Sequence, residues 1–412
     1  MKIVVLLLVL MLASCSVVSP VYQFYAHKHA VPNWGFDYVE IPKQPPVTSE
    51  HFNPAYQGVF SDASNLISEH QRKIHSPGIT AAVAIDGQLV WAGASGWADI
   101  AQKIPMTTSS QFRVGSTSKA INATLLAKLV EAGKLTLDTP ISRFESGQLN
   151  QQWQNITPRQ LASHSSGLPH YKDNNDWVGL YQTIALNTQF TDVAKSVDVF
   201  DDSDLLFSPG DEFSYSSLGT VLLSAVMQDS MSQTYQDAMK TQVFEPLSMT
   251  NSSANENVEH LVSFYLRQPQ QPHKLTQWRD VDLSHRLAGG GFVSTSIDLV
   301  KLGLGFNSDE FLSKEVRDAF WTPQRLNNGE VNPQNYGIGW RVRESDFGEG
   351  VGTLFHANHG GVSRGAQSWL MVLPEHNMAV AVNINSKTDH FWDFGSVSYE
   401  LVKLFLKHKT TL

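Results

Sequence analysis

Ser116-Thr117-Ser118-Lys119 is the one Ser-x-x-Lys in a chain of 412 residues. Ile121, Leu125, Leu126, Leu129 and Val130 follow at spacings of four and one, which predicts a buried helical face, and Gly133 supplies a stop. Residues three apart on a helix share a face, with Cβ atoms about 5–6 Å apart. Lys119 also falls in the first turn, where the helix macrodipole is positive. Burial and dipole both disfavour its ammonium form, so its pKa should fall from roughly 10.4. An uncharged amine beside a hydroxyl is a general base beside a nucleophile. The bland alternative is a surface Ser and Lys at a helix start, with Ser116 as N-cap. Spacing alone does not separate the two.

Two further stretches bear on the choice. Pro209-Gly210-Asp211-Glu212-Phe213-Ser214-Tyr215-Ser216-Ser217 precedes an apolar helical run, so Tyr215 sits on a turn that can aim a phenol into a cleft. A core tyrosine with a satisfied hydroxyl would read the same way. His356-Ala357-Asn358-His359-Gly360-Gly361-Val362 falls at the expected edge of a sheet, where paired glycines let a backbone approach a ligand closely. Such an edge can offer an N–H to an oxyanion; a simple β-bulge is the plainer reading. Gly361-Val362-Ser363-Arg364-Gly365 formally matches a Gly-x-Ser-x-Gly elbow, but that elbow needs a strand before it and a helix after it. Here Ser368–Leu373 reads as strand, which makes Ser363 the weaker candidate nucleophile.

The elements that must position these groups are legible in outline. Gln57–Lys73 looks helical. Ile79–Ile85 and Gln88–Trp97 flank the tight-turn pair Asp86-Gly87 and form a hairpin. From Pro158 to about Leu304 the pattern is mostly helical. Ser368–Leu373 and Met378–Ile384 form a closing hairpin around Pro374–Asn377, and Asp393–Lys407 a final helix. The expected fold class is α+β, an α/β sandwich: an antiparallel sheet built from N- and C-terminal segments and flanked by helices, with a mainly helical insertion at about 140–330. The folded domain is expected at 56–408. Leu302-Gly303-Leu304-Gly305 lacks the strand-turn-helix setting of a dinucleotide loop.

Composition narrows the classes. Hydrophobic residues are 42% and charged residues 17%, enough for a large core, and the net charge of −9 gives no footprint for nucleic acid. No His-Glu-x-x-His occurs, and His27 and His29 read as solvated rather than metal-ligating, so neither metal nor cofactor is expected. Lys2 and the apolar run Ile3–Leu12 read as a leader too short for a stable mature span. It ends in Leu12-Ala13-Ser14-Cys15, which resembles a bacterial lipobox. Residues 1–14 are then a lipoprotein signal peptide, Cys15 the lipidation site, and 15–55 a tether. Cys15 is the one cysteine, so no intrachain disulfide is expected. Pro20, Pro32, Pro42, Pro45, Pro46 and Pro54 break any regular element in the tether. Tyr22, Phe24, Tyr25, Trp34, Phe36 and Tyr38 suggest that part of it packs on the domain. Ser16, after the cysteine, favours an outer-membrane or periplasmic-face location through a membrane anchor.

Ser116 with Lys119, Tyr215-Ser216-Ser217 and His359-Gly360-Gly361, in that order, resemble the serine β-lactamase-like and penicillin-recognising hydrolases. Leu161–Pro169, Ala288–Thr295 and Tyr336–Trp340 look like the same family and read as structural. Ser217 and the stretch around Gly289 resemble the branch of the mitochondrial serine β-lactamase-like protease and its bacterial relatives. The resemblance implies an acyl-enzyme on Ser116, with Lys119 and Tyr215 exchanging its proton. It implies an oxyanion hole from the N–H groups of Ser116 and Val362, and substrate contacts from Ser217, His359, Gly360 and Gly361. Two departures stand out: Ser217 replaces the more common Asn, and Gly360 replaces a Thr or Ser whose hydroxyl can bind a carboxylate. Arg364 could substitute, though a solvated Arg is the simpler reading. Small peptides or esters are thus the expected partners. The alternatives are a lipid-anchored sensor of cell-wall peptides or β-lactams without turnover, and a true β-lactamase or DD-carboxypeptidase.

Overall fold

The computed structural model of the chain describes residues 2–28, 30–32, 34, 37–255, 257–268 and 270–410, with side chains from Cys15 onward. His29 and Phe36 lie outside the described residues. The elements that position the site are α1 (Lys2–His27), β1 (Val47–His51), α2 (Gln57–Lys73), β2 (Gly78–Ile85), β3 (Gln88–Asp99), α3 (Ser118–Glu131), α4 (Trp177–Ala185), α5 (Ser217–Asp229), α6 (Ser296–Phe306), β4 (Arg341–Asp346), β5 (Thr353–Ser363), β6 (Ala366–Leu373), β7 (Met378–Ile384) and α7 (Phe391–Lys409).

The seven strands form one antiparallel sheet in the order β4-β5-β6-β7-β2-β3-β1. Its halves come from opposite ends of the chain and meet where β7 pairs with β2, Val382 opposite Ala81. Asp86 and Gly87 close the β2–β3 hairpin with φ of 54° and 76°. That two-residue turn with both φ positive matches the strand twist, and glycine supplies it at no steric cost.

Side-chain period two sorts the sheet into two cores. Val83, Trp91, Val380 and Val382 pack with Phe60, Ile67, Leu401 and Phe405 of α2 and α7. Ala82, Ala84, Ala379 and Ala381 face the other way, toward α3 and α6. The alanines matter because α6 approaches closely. A Cβ on Gly303 would stand 2.8 Å from Val372 and 3.1 Å from Ala379. The Leu302–Gly305 stretch is therefore a packing face within α6. Between α3 and β4 the chain makes mostly short helical segments, plus a hairpin of 265–268 and 271–277 to which 39–40 add a third strand.

Three readings of the N-terminal segment need correction. Pro20 lies inside α1 rather than at a break. Downstream packing outweighs its missing N–H: Phe24, Ala26 and His27 are buried on the domain. His27 is not solvated, since its ring stacks on Trp278 at 4.3 Å and its nitrogens reach the Gln23 and Gln277 carbonyls. Val47–His51, placed in the tether from its prolines, is the edge strand β1, held by β3. Among the described residues no helix is long and apolar enough to cross a membrane, and no group of three His, Cys, Asp or Glu could hold a metal ion.

Candidate active site

Ser116 sits in a short 3-10 turn, Gly115–Thr117, that leads directly into α3. Gly115 has φ 52°, and a Cβ there would stand 2.7 Å from the backbone of Val362. A Cβ on Gly361 would collide with the Val114 carbonyl and lie 2.9 Å from the Ser116 nitrogen. Both glycines are needed because this edge of β5 lies directly on the turn that carries Ser116. The Ser116 and Val362 main chains thus face the same space.

α3 is nearly all core. Ile121, Leu125, Leu126 and Leu129 are fully buried, each contributing about 1.5–3 kcal/mol. That packing fixes Lys119, which is 1% exposed. Its Nζ lies 2.6 Å from the Gly289 carbonyl, 2.8 Å from Ser217 Oγ and 3.4 Å from Ser116 Oγ. Burial is the main reason its pKa is pulled down to about 7, and the Arg341 and Arg286 guanidiniums add to the fall. Tyr215 enters from the turn before α5, hydrogen-bonded to Ser116 and with its ring centroid 4.8 Å from Lys119 Nζ. Burial raises its pKa, so the phenol stays protonated at neutral pH.

The Tyr215 turn is braced by two imidazoles. Nδ1 of His164 accepts the Ser216 N–H at 3.3 Å, and Nδ1 of His170 accepts the Ser217 N–H at 3.2 Å. Both roles require a neutral ring. Burial first, then the charge of Lys119, holds His164 well below its usual range and His170 at about 3. The neighbouring Ser216 caps α5 by accepting the Gly219 N–H and donates to the Pro169 carbonyl.

A cavity of about 650 Å³ opens beside Ser116, lined also by Ser217, Val362, His170, Tyr171, Gly289, Arg286 and Arg364. Phe24, Tyr25 and Lys28 of the N-terminal segment form part of its wall. The expected substrate contacts separate here. Ser217 and Val362 reach the cavity, whereas His359, Gly360 and Gly361 do not line it. His359 is fully buried, its Nε2 2.8 Å from the Tyr336 hydroxyl and its Nδ1 2.9 Å from the Gly360 carbonyl. A side chain at Gly360 would run into Phe391 and Trp369, on the opposite face. Strand alternation sends His359 and Gly360 to opposite faces of the sheet, the ring to Tyr336 and position 360 to Phe391 and Trp369. Ser363 touches the cavity, but it ends β5 and leads through Gly365, φ 74°, straight into β6. The helix that a nucleophile elbow requires is absent there.

A family model described as Beta-lactamase matches residues 63–394. The chain belongs to the beta-lactamase family. It is 26% identical to the human serine beta-lactamase-like protein LACTB, mitochondrial, over 83% of this chain and 77% of that protein. It is 28% identical to penicillin-binding protein 4* of Bacillus subtilis, over 65% of this chain and 60% of that protein. Two solved structures share the fold at a TM-score of 0.67. One is the octameric penicillin-binding protein homologue from Pyrococcus abyssi, 22% identical, covering 84% of this chain and 77% of that one. The other is the D-amino acid amidase from Ochrobactrum anthropi with D-phenylalanine, 21% identical, covering 86% and 100%. The family is one of serine hydrolases, and the antiparallel sheet flanked by helices is its fold.

Three contributors were not visible as such in the sequence. Arg341 follows directly on Tyr336–Trp340, and its guanidinium lies 5.3 Å from the ring centroids of both Tyr215 and Tyr336. The Gly289 carbonyl carries no side-chain signal at all. The aromatics of the proline-rich segment pointed to packing on the domain, as Phe24 does, but not to Phe24 and Tyr25 walling this cavity. His164 could have been singled out as the polar centre of Leu161–Pro169.

Proposed function

We propose that this chain hydrolyses peptide-like amides or esters through an acyl-enzyme on Ser116, at the bacterial cell envelope and anchored through Cys15. One observation carries the reading: a hydroxyl, a buried amine with its pKa near 7 and a protonated phenol converge beside a cavity. A neutral Lys119 has two N–H bonds and one lone pair. Gly289 O and Ser217 Oγ accept the two N–H groups, and the lone pair is left for the Ser116 proton. Lys119 is therefore the base and Tyr215 the relay. As Ser116 Oγ bonds to the substrate carbonyl carbon, its proton moves to Lys119. The proton then passes through the Tyr215 phenol to the leaving nitrogen or oxygen as the scissile bond breaks. Water repeats the sequence on the acyl-enzyme. The N–H groups of Ser116 and Val362 receive the oxyanion, each worth about 2.7–4 kcal/mol in the transition state.

Gel labelling with a fluorophosphonate probe tests this. Wild type should label and turn over members of an ester and peptide panel, and Ser116→Ala should do neither. Labelling that survives in Ser116→Ala and disappears in Ser363→Ala would overturn it. A second reading, a sensor that acylates without turnover, is favoured by the α1 residues in the cavity wall. Stoichiometric labelling with no product release would select it. β-Lactams and D-Ala-terminated peptides in the same panel test the β-lactamase and carboxypeptidase readings.

A further inference from the structure

The cavity beside Ser116 has a cationic side that the acyl-transfer machinery does not use. Arg286, Arg364, Lys28 and Lys172 line it, and no Asp or Glu does so among the described residues. Arg286 is 7% exposed. Its polar partners are uncharged: His285 Nε2 at 2.9 Å and the Thr183 carbonyl at 3.2 Å. Its guanidinium lies 4.2 Å from the Tyr171 ring centroid. Arg364 rests between aromatic faces, 4.8 Å from Phe24 and 5.8 Å from Trp278. Its Nε and the Tyr171 hydroxyl are both buried without a hydrogen-bond partner.

Buried charges are normally paired, because removing one from water costs several kcal/mol. Here a buried guanidinium, a half-buried one whose Nε is buried and unpartnered, and an idle phenol share one wall with no carboxylate to meet them. The neighbours make matters worse: burial, with Arg286, Arg113 and Arg279, pulls Arg364 down to about 9. Such a cluster is stabilised when an anion enters, and the planar guanidinium fork fits a carboxylate.

We propose that Arg286, Arg364 and the Tyr171 hydroxyl form an anion subsite that takes a carboxylate of the substrate, an assignment that rests on Ser116 being the nucleophile. Phe24, stacked on Arg364, is a positioning residue for it. The carboxylate sits on either the acyl or the leaving half, and two ester pairs distinguish these sources. The acyl pair is 4-nitrophenyl hydrogen glutarate against 4-nitrophenyl pentanoate. The leaving-group pair is 3-carboxyphenyl phenylacetate against 3-carbamoylphenyl phenylacetate.

In one pair the charged ester should have the higher kcat/KM by about tenfold, the ratio given by 1.4 kcal/mol, carried mainly by KM. Arg286→Gln and Arg364→Gln should each bring the pair near parity, Arg364→Lys should keep part of the preference, and a single cooperative melting transition shows that the variants fold. A readout without turnover separates this subsite from the catalytic reading. Glutarate or 3-hydroxybenzoate should raise the melting temperature of wild type and Ser116→Ala alike, but not of the double Gln variant. Neutral esters matching charged ones in both pairs, with no melting shift from either anion, overturns the subsite. So does a shift from inorganic phosphate alone. Absence of any ester turnover with the melting shift intact overturns the hydrolase reading and leaves the subsite standing.

Discussion

Replacing Arg341 by Gln should move the pH dependence of the reaction upward without changing its plateau. Lys119 Nζ lies 4.8 Å and the Arg341 guanidinium 5.3 Å from the centroid of the same Tyr215 ring. The two cations are therefore no farther apart than those distances together, about 10 Å. At an effective dielectric of 20 their repulsion is about 1.6 kcal/mol, or roughly one pKa unit. Removing Arg341 relieves the protonated form of Lys119, so its pKa rises from about 7 toward 8. In wild type, kcat/KM against pH should climb with unit slope below 7 and flatten above it, because the amine must be neutral. In Arg341→Gln the same limb should stand about one unit higher, with the loss near tenfold at pH 6 and absent at pH 9.5. His164 and His359 are kept well below their usual range by burial, and His170 near 3, so none of them titrates across this window. Initial rates with one neutral ester at constant ionic strength suffice. A limb that stays in place, or a loss equal at every pH, refutes the electrostatic role assigned to Arg341. A wild-type rate still climbing past pH 10 refutes the lowered pKa itself.

Lys119→Met should abolish turnover yet stabilise the fold. The folded pKa is depressed, so folding expels a proton between about pH 7 and 10.5, where the unfolded lysine is charged and the folded one is not. Wild type is therefore penalised increasingly as pH falls from about 10.5 to 7, levelling at up to about 5 kcal/mol. Urea midpoints of the two proteins that stay parallel across that range would contradict this. Gly361→Ala should lose labelling and activity together, since a methyl meets the Val114 carbonyl where β5 abuts the Ser116 turn; full labelling by the purified variant would argue against that contact. Leu125→Ala in α3 should cost about 2–5 kcal/mol in chemical denaturation, the range for a buried Leu. A loss under about 1 kcal/mol would mean that the site relaxes around the cavity. Turnover should be unaffected by a strong chelator; inhibition reversed by added zinc would point to a metal requirement.

Sequence alone marked Ser116, Lys119, Tyr215 and the β5 glycines, and the order of strands and helices around them. These signals are local. An apolar helical stripe, an Asp-Gly turn and a Gly-Gly pair each carry their meaning within a few residues. The direction of the Lys119 pKa shift was legible too, because a lysine in the first turn of an apolar helix is expected to be desolvated and to meet the positive end of the macrodipole. What the residue string could not carry was what crosses it. Alternation along β5 turned His359 toward Tyr336 and took Gly360 off the cleft, although both stood in the motif. Packing of Phe24, Ala26 and His27 on the domain carried a helix through Pro20, against its local preference. The Gly289 carbonyl on Lys119, the Arg341 charge behind Tyr215 and the unpaired arginines come from segments far apart in the chain. Through-space electrostatics and desolvation depend on distance and burial, and only the folded chain sets those.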